Sequence, residues 1–207
     1  MLHLSAIDTS TLELLKSIMH CDEFTNLRLV GGTSLALQLG HRKSIDLDLC
    51  GEIIFEHIDR TKAFNKFEKV VILKKSKNIN ILSIDDVKID FVNYSYPWLQ
   101  KQLLIDEIRL AGIEDIAAMK LAAITGRGSR KDFIDIYFLL QKYNIREMLG
   151  FYREKYFDGS EYLVLKSLTY FDDAEEDLDV EMLKDVPWAT IKKYILNTVN
   201  LYNQSIQ

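Results

Sequence analysis

Asp46 and Asp48 stand two residues apart in Ser44-Ile45-Asp46-Leu47-Asp48-Leu49, where the apolar side chains alternate strictly with the polar ones. That alternation is the period of a half-buried strand and sets both carboxylates on one face, about 7 Å apart by strand rise. Two like charges there repel. A divalent cation removes the repulsion, and magnesium, which takes oxygen ligands and keeps waters for substrate phosphates, suits them. Alone, such a pair is more often an ordinary solvated strand face, so its neighbours decide. Gly31-Gly32-Thr33-Ser34 lies upstream at a predicted strand-to-helix turn. Glycines let backbone N–H groups approach a phosphate, the helix N-terminus adds partial positive charge, and Thr33 and Ser34 can donate through their hydroxyls. The structural alternative is a tight turn and an N-cap. Asp90, between Ile89 and Phe91, can bring a third carboxylate to the same cations and accept a proton from an attacking hydroxyl. Its plainer reading is a surface acid beside Lys88.

A second group lies further along. The predicted helix Glu114 to Thr125 is apolar all round except for Lys120, which falls on the stripe of Ile113, Ile116 and Ile124. A buried ammonium is costly unless paired, so Lys120 should meet a carboxylate or a phosphate. If it serves only phosphate, Lys120→Met removes activity and spares the fold. Gly126-Arg127-Gly128-Ser129-Arg130-Lys131 is a basic turn suited to a triphosphate or an RNA backbone. Asp132 has a competing role, because Ser129-x-x-Asp132 has the form of a capping box. Asp135 is a lone acid among Phe133, Ile134, Ile136, Tyr137 and Phe138. His41-Arg42-Lys43 could meet phosphate through Arg42, while His41 and Lys43 read as a solvated loop. The basic stretch from Arg60 to Lys77 reads as a solvated face, with a nucleic-acid backbone as its functional alternative.

These residues need elements to position them. A helix starts from Asp8 and Thr9 with Leu12, Leu15, Ile18 and Met19 on one face. A strand follows at 26–30, the Gly31-Gly32 turn, and a helix from Thr33 to Leu39 ended by Gly40. The strand 44–49 comes next, then a helical 55–69, and strands at 69–74, 79–84, 86–92 and 104–110, with a turn at Asp85-Asp86. After Gly112 the pattern is helical, at 114–125, 129–143, 145–156, about 160–170 and 188–202. The expected class is α+β: a mixed sheet flanked by helices over residues 1–112, followed by a helical part at 113–207.

The 207 residues include 48% hydrophobic and 28% charged side chains, with two prolines and nine glycines, which excludes disulfide miniproteins, collagen-like chains and disordered tails. The net charge of −5 argues against a nonspecific polyanion binder. It is unevenly spread. Residues 172–185 hold eight acids and one lysine, and the rest carries 25 basic against 23 acidic side chains. Cys21 and Cys50 form no metal or disulfide spacing. With no membrane span and no basic-then-apolar leader, the expectation is a cytoplasmic protein with reduced thiols.

LVGGTSLALQLGHRKSIDLDL (29–49) and KIDF (88–91) resemble the signature of the DNA polymerase beta superfamily of nucleotidyltransferases. With EDIAAMKLAAI (114–124) and SRKDFIDIYFLL (129–140), the chain resembles more closely the nucleotidyl transferase AbiEii/AbiGii toxin family. The resemblance implies a nucleotidyltransferase-like sheet and transfer of a nucleotidyl group from a nucleoside triphosphate (NTP) with release of pyrophosphate. It implies two Mg2+ ions on Asp46, Asp48 and Asp90, and triphosphate held by Gly31, Gly32, Thr33 or Ser34, with Arg42, Lys120, Arg127 and Arg130 as further phosphate contacts. It makes Lys120 functional, together with one of Asp132 and Asp135. The implied acceptor is the 3′ end of tRNA, and the implied partner a cognate antitoxin. Alternatives are a nucleotidyltransferase acting on a protein or a small molecule such as an antibiotic, and a non-catalytic nucleotide-binding regulator.

Overall fold

The computed structural model describes residues 1–206, leaving out the side chains of Arg60 and Thr61; the Arg60 side chain of the predicted basic stretch therefore lies outside the described residues. The chain divides into two compact units, Met1–Tyr96 with Lys101–Ala111, and Pro97–Gln100 with Gly112–Gln207.

The first unit is built on a seven-stranded mixed sheet in the order β3-β4-β5-β2-β1-β7-β6. Helix α1 (Thr9–Met19) buries Leu14, Leu15, Ile18 and Met19 in the core that the sheet also lines. β1 (Leu27–Val30) runs directly into α2 (Gly31–Leu39). α2 starts at Gly31, whose φ of +66° turns the chain out of β1, so the glycine pair lies at the helix start and not in a separate turn ahead of it. α2 ends at Gly40 in the left-handed region, as the sequence predicts.

β2 spans Leu47–Gly51 and so begins later than expected. Residues 44–46 are tied to Thr33 instead of to a strand neighbour, and Ile45, expected inside, is 64% exposed. The expected helix at 55–69 shrinks to a 3-10 turn at Phe55–His57 and the short α3 (Arg60–Phe64). Here packing outweighs helical propensity, because Phe55, Phe64 and Phe24 gather around Phe91, the nearest ring centroid lying 4.9 Å from it.

β3 (Val70–Lys75), β4 (Ile79–Ile84) and β5 (Val87–Asn93) form an antiparallel meander whose second turn, Asp85-Asp86, has both φ angles positive. β3 is an edge strand, with exposed Val71, Ile72 and Leu73 and a register break between Ile72 and Lys74. The predicted strand at 104–110 is instead a hairpin, β6 (Leu103–Ile105) and β7 (Ile108–Leu110), folded at Asp106-Glu107. Glu107 is not a habitual left-handed turn former, and no glycine or asparagine marks the bend in the sequence.

β5 pairs in parallel with β2, and β2 pairs antiparallel with β1. One sheet face carries Leu27, Leu29, Leu47, Leu49, Ile89 and Phe91, all essentially inaccessible. The other carries Asp48, paired in register with Asp90, which in turn pairs with Ile81 and through it Lys74. In the basic stretch Lys62 pairs with Glu23 and Lys69 with Asp86, the behaviour of a solvated face.

The second unit is helical. α4 (Ile113–Gly126) buries Ile116, Ala117, Ala118, Leu121 and Ile124 among α5 (Arg130–Leu140), α6 (Ile145–Lys155) and α7 (Glu161–Ser167). α8 (Asp172–Glu175) and α9 (Trp188–Ser205) follow, the latter burying Ile191, Ile195 and Val199 along one stripe. The capping box stands at Asn144 and Glu147, at the start of α6. No described helix is long and apolar enough to cross a membrane.

A charge pair invisible to periodicity lies inside this unit. Asp115 and Lys155 are fully buried and 2.7 Å apart. The Asp115 carboxylate also accepts from the Leu99 and Gln100 amides, while Lys155 donates to the Pro97 carbonyl and lies over the Trp98 ring. The pair therefore fastens the 97–100 segment. Lys155→Met would leave the Asp115 charge buried without its counterion, and a loss of about 3–5 kcal/mol is expected in denaturant titrations.

Candidate active site

The parallel register of β2 and β5 sets Asp48 directly beside Asp90 on the same face. Neighbouring strands lie about 4.8 Å apart, so the two carboxylates are close. Asp46 lies just ahead of β2, near enough to Lys88 for its charge to act on that ammonium. All three acids are half-buried. Lys88 Nζ lies 2.8 Å from Asp90 Oδ1. Partial burial pulls the Lys88 pKa down, but the short contact with Asp90 and the charges of Asp90, Asp46 and Asp48 outweigh it and hold the ammonium above the usual lysine value. All three acids thus act on one cation. Asp90 Oδ1 is itself buried and accepts no well-aligned hydrogen bond, so Lys88 supplies it with charge but little directional bonding.

The glycine turn meets these acids. A Cβ on Gly31 would come within 2.2 Å of Asp48 Oδ2, so the carboxylate rests against a position that only glycine fills, both for space and for its positive φ. Gly32 is buried next to it. α2 begins here with no side-chain cap hydrogen bond at Val30 among the described residues, leaving first-turn N–H donors for an anion. The hydroxyls behave differently from expectation. Thr33 and Ser34 are buried. Thr33 Oγ1 hydrogen-bonds the Asp46 carbonyl and lies 2.8 Å from Ser44 Oγ, and Ser34 Oγ accepts from Gln38. Thr33 thus positions the backbone of Asp46, and what this turn offers an anion is backbone amides. Arg42 is 3% exposed with its guanidinium donating to the Lys43 carbonyl, so burial removes it from the surface as a phosphate contact. His41 is fully buried, contrary to the solvated loop expected, and Lys43 pairs with Asp8.

The donor set suits magnesium: three hard oxygen side chains on one face, one carrying a buried oxygen poor in hydrogen bonds. Among the described residues, however, no three His, Cys, Asp or Glu side chains are already gathered as ion ligands. The acids share a face and a cation without forming a closed cage.

In the second unit Lys120 is nearly inaccessible, with Nζ 2.8 Å from Asp132 Oδ1 and 2.6 Å from Asp135 Oδ2. Both acids are fully buried and hold the same ammonium. Ser129 does not cap α5 with its side chain. Its hydroxyl donates to Asp132 Oδ2 at 2.5 Å, and Arg127 Nε lies 3.3 Å from the same oxygen. The expected capping box is absent because the Asp132 carboxylate is turned inward to Lys120. Burial pushes the Asp132 pKa up, and the charge and hydrogen bond of Lys120, the Ser129 hydroxyl and the Arg127 charge outweigh it and hold the carboxyl below its ordinary range.

Arg130 is held within its own unit. Its amide donates to Asp177, Nη1 to Asp179, Nε to the Ala174 carbonyl and Nη2 to the Glu175 carbonyl, with the guanidinium over the Trp188 ring. The acidic segment is thus a partner of Arg130, and the guanidinium expected to meet phosphate is already bonded. Arg127 keeps a mostly exposed side chain. A groove of 480 Å3 beside Tyr143, Arg146, Tyr194 and Tyr202, and another of 420 Å3 beside Phe55, Phe64 and Leu82, include none of the predicted site residues.

The chain is similar to known proteins along nearly its whole length. A model of the family described as nucleotidyl transferase AbiEii toxin, Type IV TA system, matches residues 13–201. An uncharacterized protein of Aquifex aeolicus is 34% identical over 199 residues, covering 92% of this chain and 93% of that one. The crystal structure of JHP933 from Helicobacter pylori is 17% identical with a TM-score of 0.54, over 97% of each chain. MenT4, a nucleotidyltransferase toxin from Mycobacterium tuberculosis, is 15% identical with a TM-score of 0.54, over 93% of this chain and 92% of that one. The two structures share the fold.

Lys120→Met would leave two inaccessible carboxylates without their counterion, so a loss of about 3–5 kcal/mol in denaturant unfolding is expected, in place of a variant that spares the fold. Because the Asp132 pKa is lower folded than unfolded, its contribution is complete above the unfolded value of about 3.9 and lost as pH falls through the folded one. Acid-unfolding curves of Asp132→Asn should accordingly show a shallower fall in stability below about pH 4 than the unsubstituted protein.

Proposed function

The chain belongs to the AbiEii nucleotidyl transferase toxin family and is a nucleotidyltransferase, and from that premise we propose that it transfers a nucleotidyl group from an NTP to the 3′ end of tRNA, with Asp46, Asp48 and Asp90 at the reacting phosphate. The observation that carries this reading is the register of Asp48 with Asp90, with Asp48 packed against Gly31 where the α2 N-terminus opens. A hydroxyl oxygen of the acceptor attacks the α-phosphorus, forming one P–O bond as the bond to the bridging oxygen breaks and pyrophosphate leaves.

Asp90 is placed to take the hydroxyl proton, because its Oδ1 lacks a well-aligned donor in the free protein. The backbone amides of Gly31 and Gly32 hold triphosphate oxygens at the helix N-terminus. Thr33 fixes the backbone of Asp46, and Asp46, Asp48 and Asp90 are the groups that would hold Mg2+. Bound there, magnesium neutralises phosphate charge and favours in-line displacement. In the second unit Arg127 offers a guanidinium to an RNA or triphosphate phosphate, and the buried Lys120, Asp132 and Asp135 hold the turn that carries it. A cognate antitoxin would restrain the activity, in the cytoplasm where triphosphates and tRNA meet.

Incubating the purified protein with each labelled triphosphate and total cellular RNA, then sequencing the labelled ends, tests donor and acceptor together. Label is expected on tRNA 3′ ends, and it should vanish on chelation of Mg2+. In Asp46→Ala and Asp48→Ala it should fall to below about one hundredth, with the unfolding temperature nearly unchanged. Label on a protein or a small molecule with RNA unlabelled would overturn the acceptor, and unimpaired transfer by both variants would overturn the site.

A further inference from the structure

The acid face already contains a cation. Lys88 lies two residues before Asp90 on β5, so its side chain emerges on the same face, within reach of the charges of Asp46 and Asp48 as well. Its ammonium lies 2.8 Å from Asp90 Oδ1, on the face that Asp48 shares. The side chain is 44% exposed, so a long flexible stem can carry the ammonium away into water without unfolding anything around it. The contact is electrostatic more than directional, since Asp90 Oδ1 takes no well-aligned hydrogen bond from any donor.

We propose that Lys88 is a resident counterion that holds the acid face together before metal arrives and competes with the divalent cation for it. This rests on the carboxylate reading given above. It accounts for two facts that otherwise disagree: three acids share one face, yet among the described residues no three are drawn in as ion ligands. A univalent ammonium compensates the repulsion of Asp48 and Asp90 without pulling all three acids into one coordination shell. A divalent ion and the ammonium cannot occupy that space together, because each repels the other and both need the same Asp90 oxygen. Metal entry therefore requires Lys88 to leave. The lysine lowers the metal affinity of the empty protein and keeps the face ordered in its absence.

Titration of Mn2+ into the full chain without nucleotide, with the free ion followed by electron paramagnetic resonance, tests this apart from activity. Lys88→Met and Lys88→Gln are expected to bind Mn2+ about three- to tenfold more tightly than the unsubstituted protein, the scale of one partly screened unit charge. Lys88→Arg, which keeps the charge, should stay near the parent affinity. Lys75→Met removes an exposed charge from the opposite face of edge strand β3 and should leave affinity unchanged. Without metal the Lys88→Met unfolding temperature should fall, and its rise on adding Mn2+ should exceed the parent's. Equal or weaker Mn2+ binding by both neutral variants would overturn the counterion role while leaving the metal site standing. No Mn2+ binding by parent or variants would overturn the metal site itself, and the counterion role with it.

Discussion

Like charges gathered on one face of a sheet are the constraint around which the first unit is arranged. Two carboxylates on neighbouring strands, about 5 Å apart, repel by about 3 kcal/mol at an effective dielectric of about 20. A half-exposed lysine returns only about 0–1 kcal/mol of that. The remainder is met from the other side of the same strands. Leu47, Leu49, Ile89 and Phe91 are fully buried beneath the acids, and each contributes about 1.5–3 kcal/mol by leaving water. Asp48 and Asp90 sit on the neighbouring strands β2 and β5, whose opposite face is fully apolar and holds the backbone in register against the repulsion. Gly31 completes the arrangement by giving the Asp48 carboxylate a place to lie where any side chain would displace it.

The second unit handles charge in the opposite way. Lys120 with Asp132 and Asp135, and Lys155 with Asp115, are withdrawn from water and satisfied by short contacts. Such pairs contribute little net stability against apolar substitutes, but they fail badly when one partner is removed, which makes them geometric pins. One pin fastens residues 97–100 and the other the turn before α5.

Much of this was legible in the residues. Alternation in 47–49 and 87–91 gave the two neighbouring strands and the faces of Asp48 and Asp90, though it also drew 44–46 into a strand they do not join, and the apolar surround of Lys120 announced a buried charge needing a partner. What stayed hidden was long-range. Nothing local says that Thr33 reaches Asp46, that Arg130 is bonded by an acidic segment far along the chain, or that Asp115 meets Lys155. The Ser129 pattern misled because a carboxylate with a lysine beside it prefers the ion pair to the helix end. Lys88 could have been found, since its two-residue spacing from Asp90 was plain, but a lysine on a strand is so commonly solvated that only the register across to β2 gives it meaning.

The broken register in β3 bears on how copies of this protein behave when crowded. Val71, Ile72 and Leu73 sit on the open margin of a seven-stranded sheet, where an uninterrupted ribbon of amides and carbonyls would recruit a neighbour's margin and zip into aggregates. The break between Ile72 and Lys74 throws the backbone groups out of step, and Lys74 and Lys75 stand charged at its far end. The chain thus carries, in one irregular strand, its own barrier against growing its sheet at a neighbour's expense.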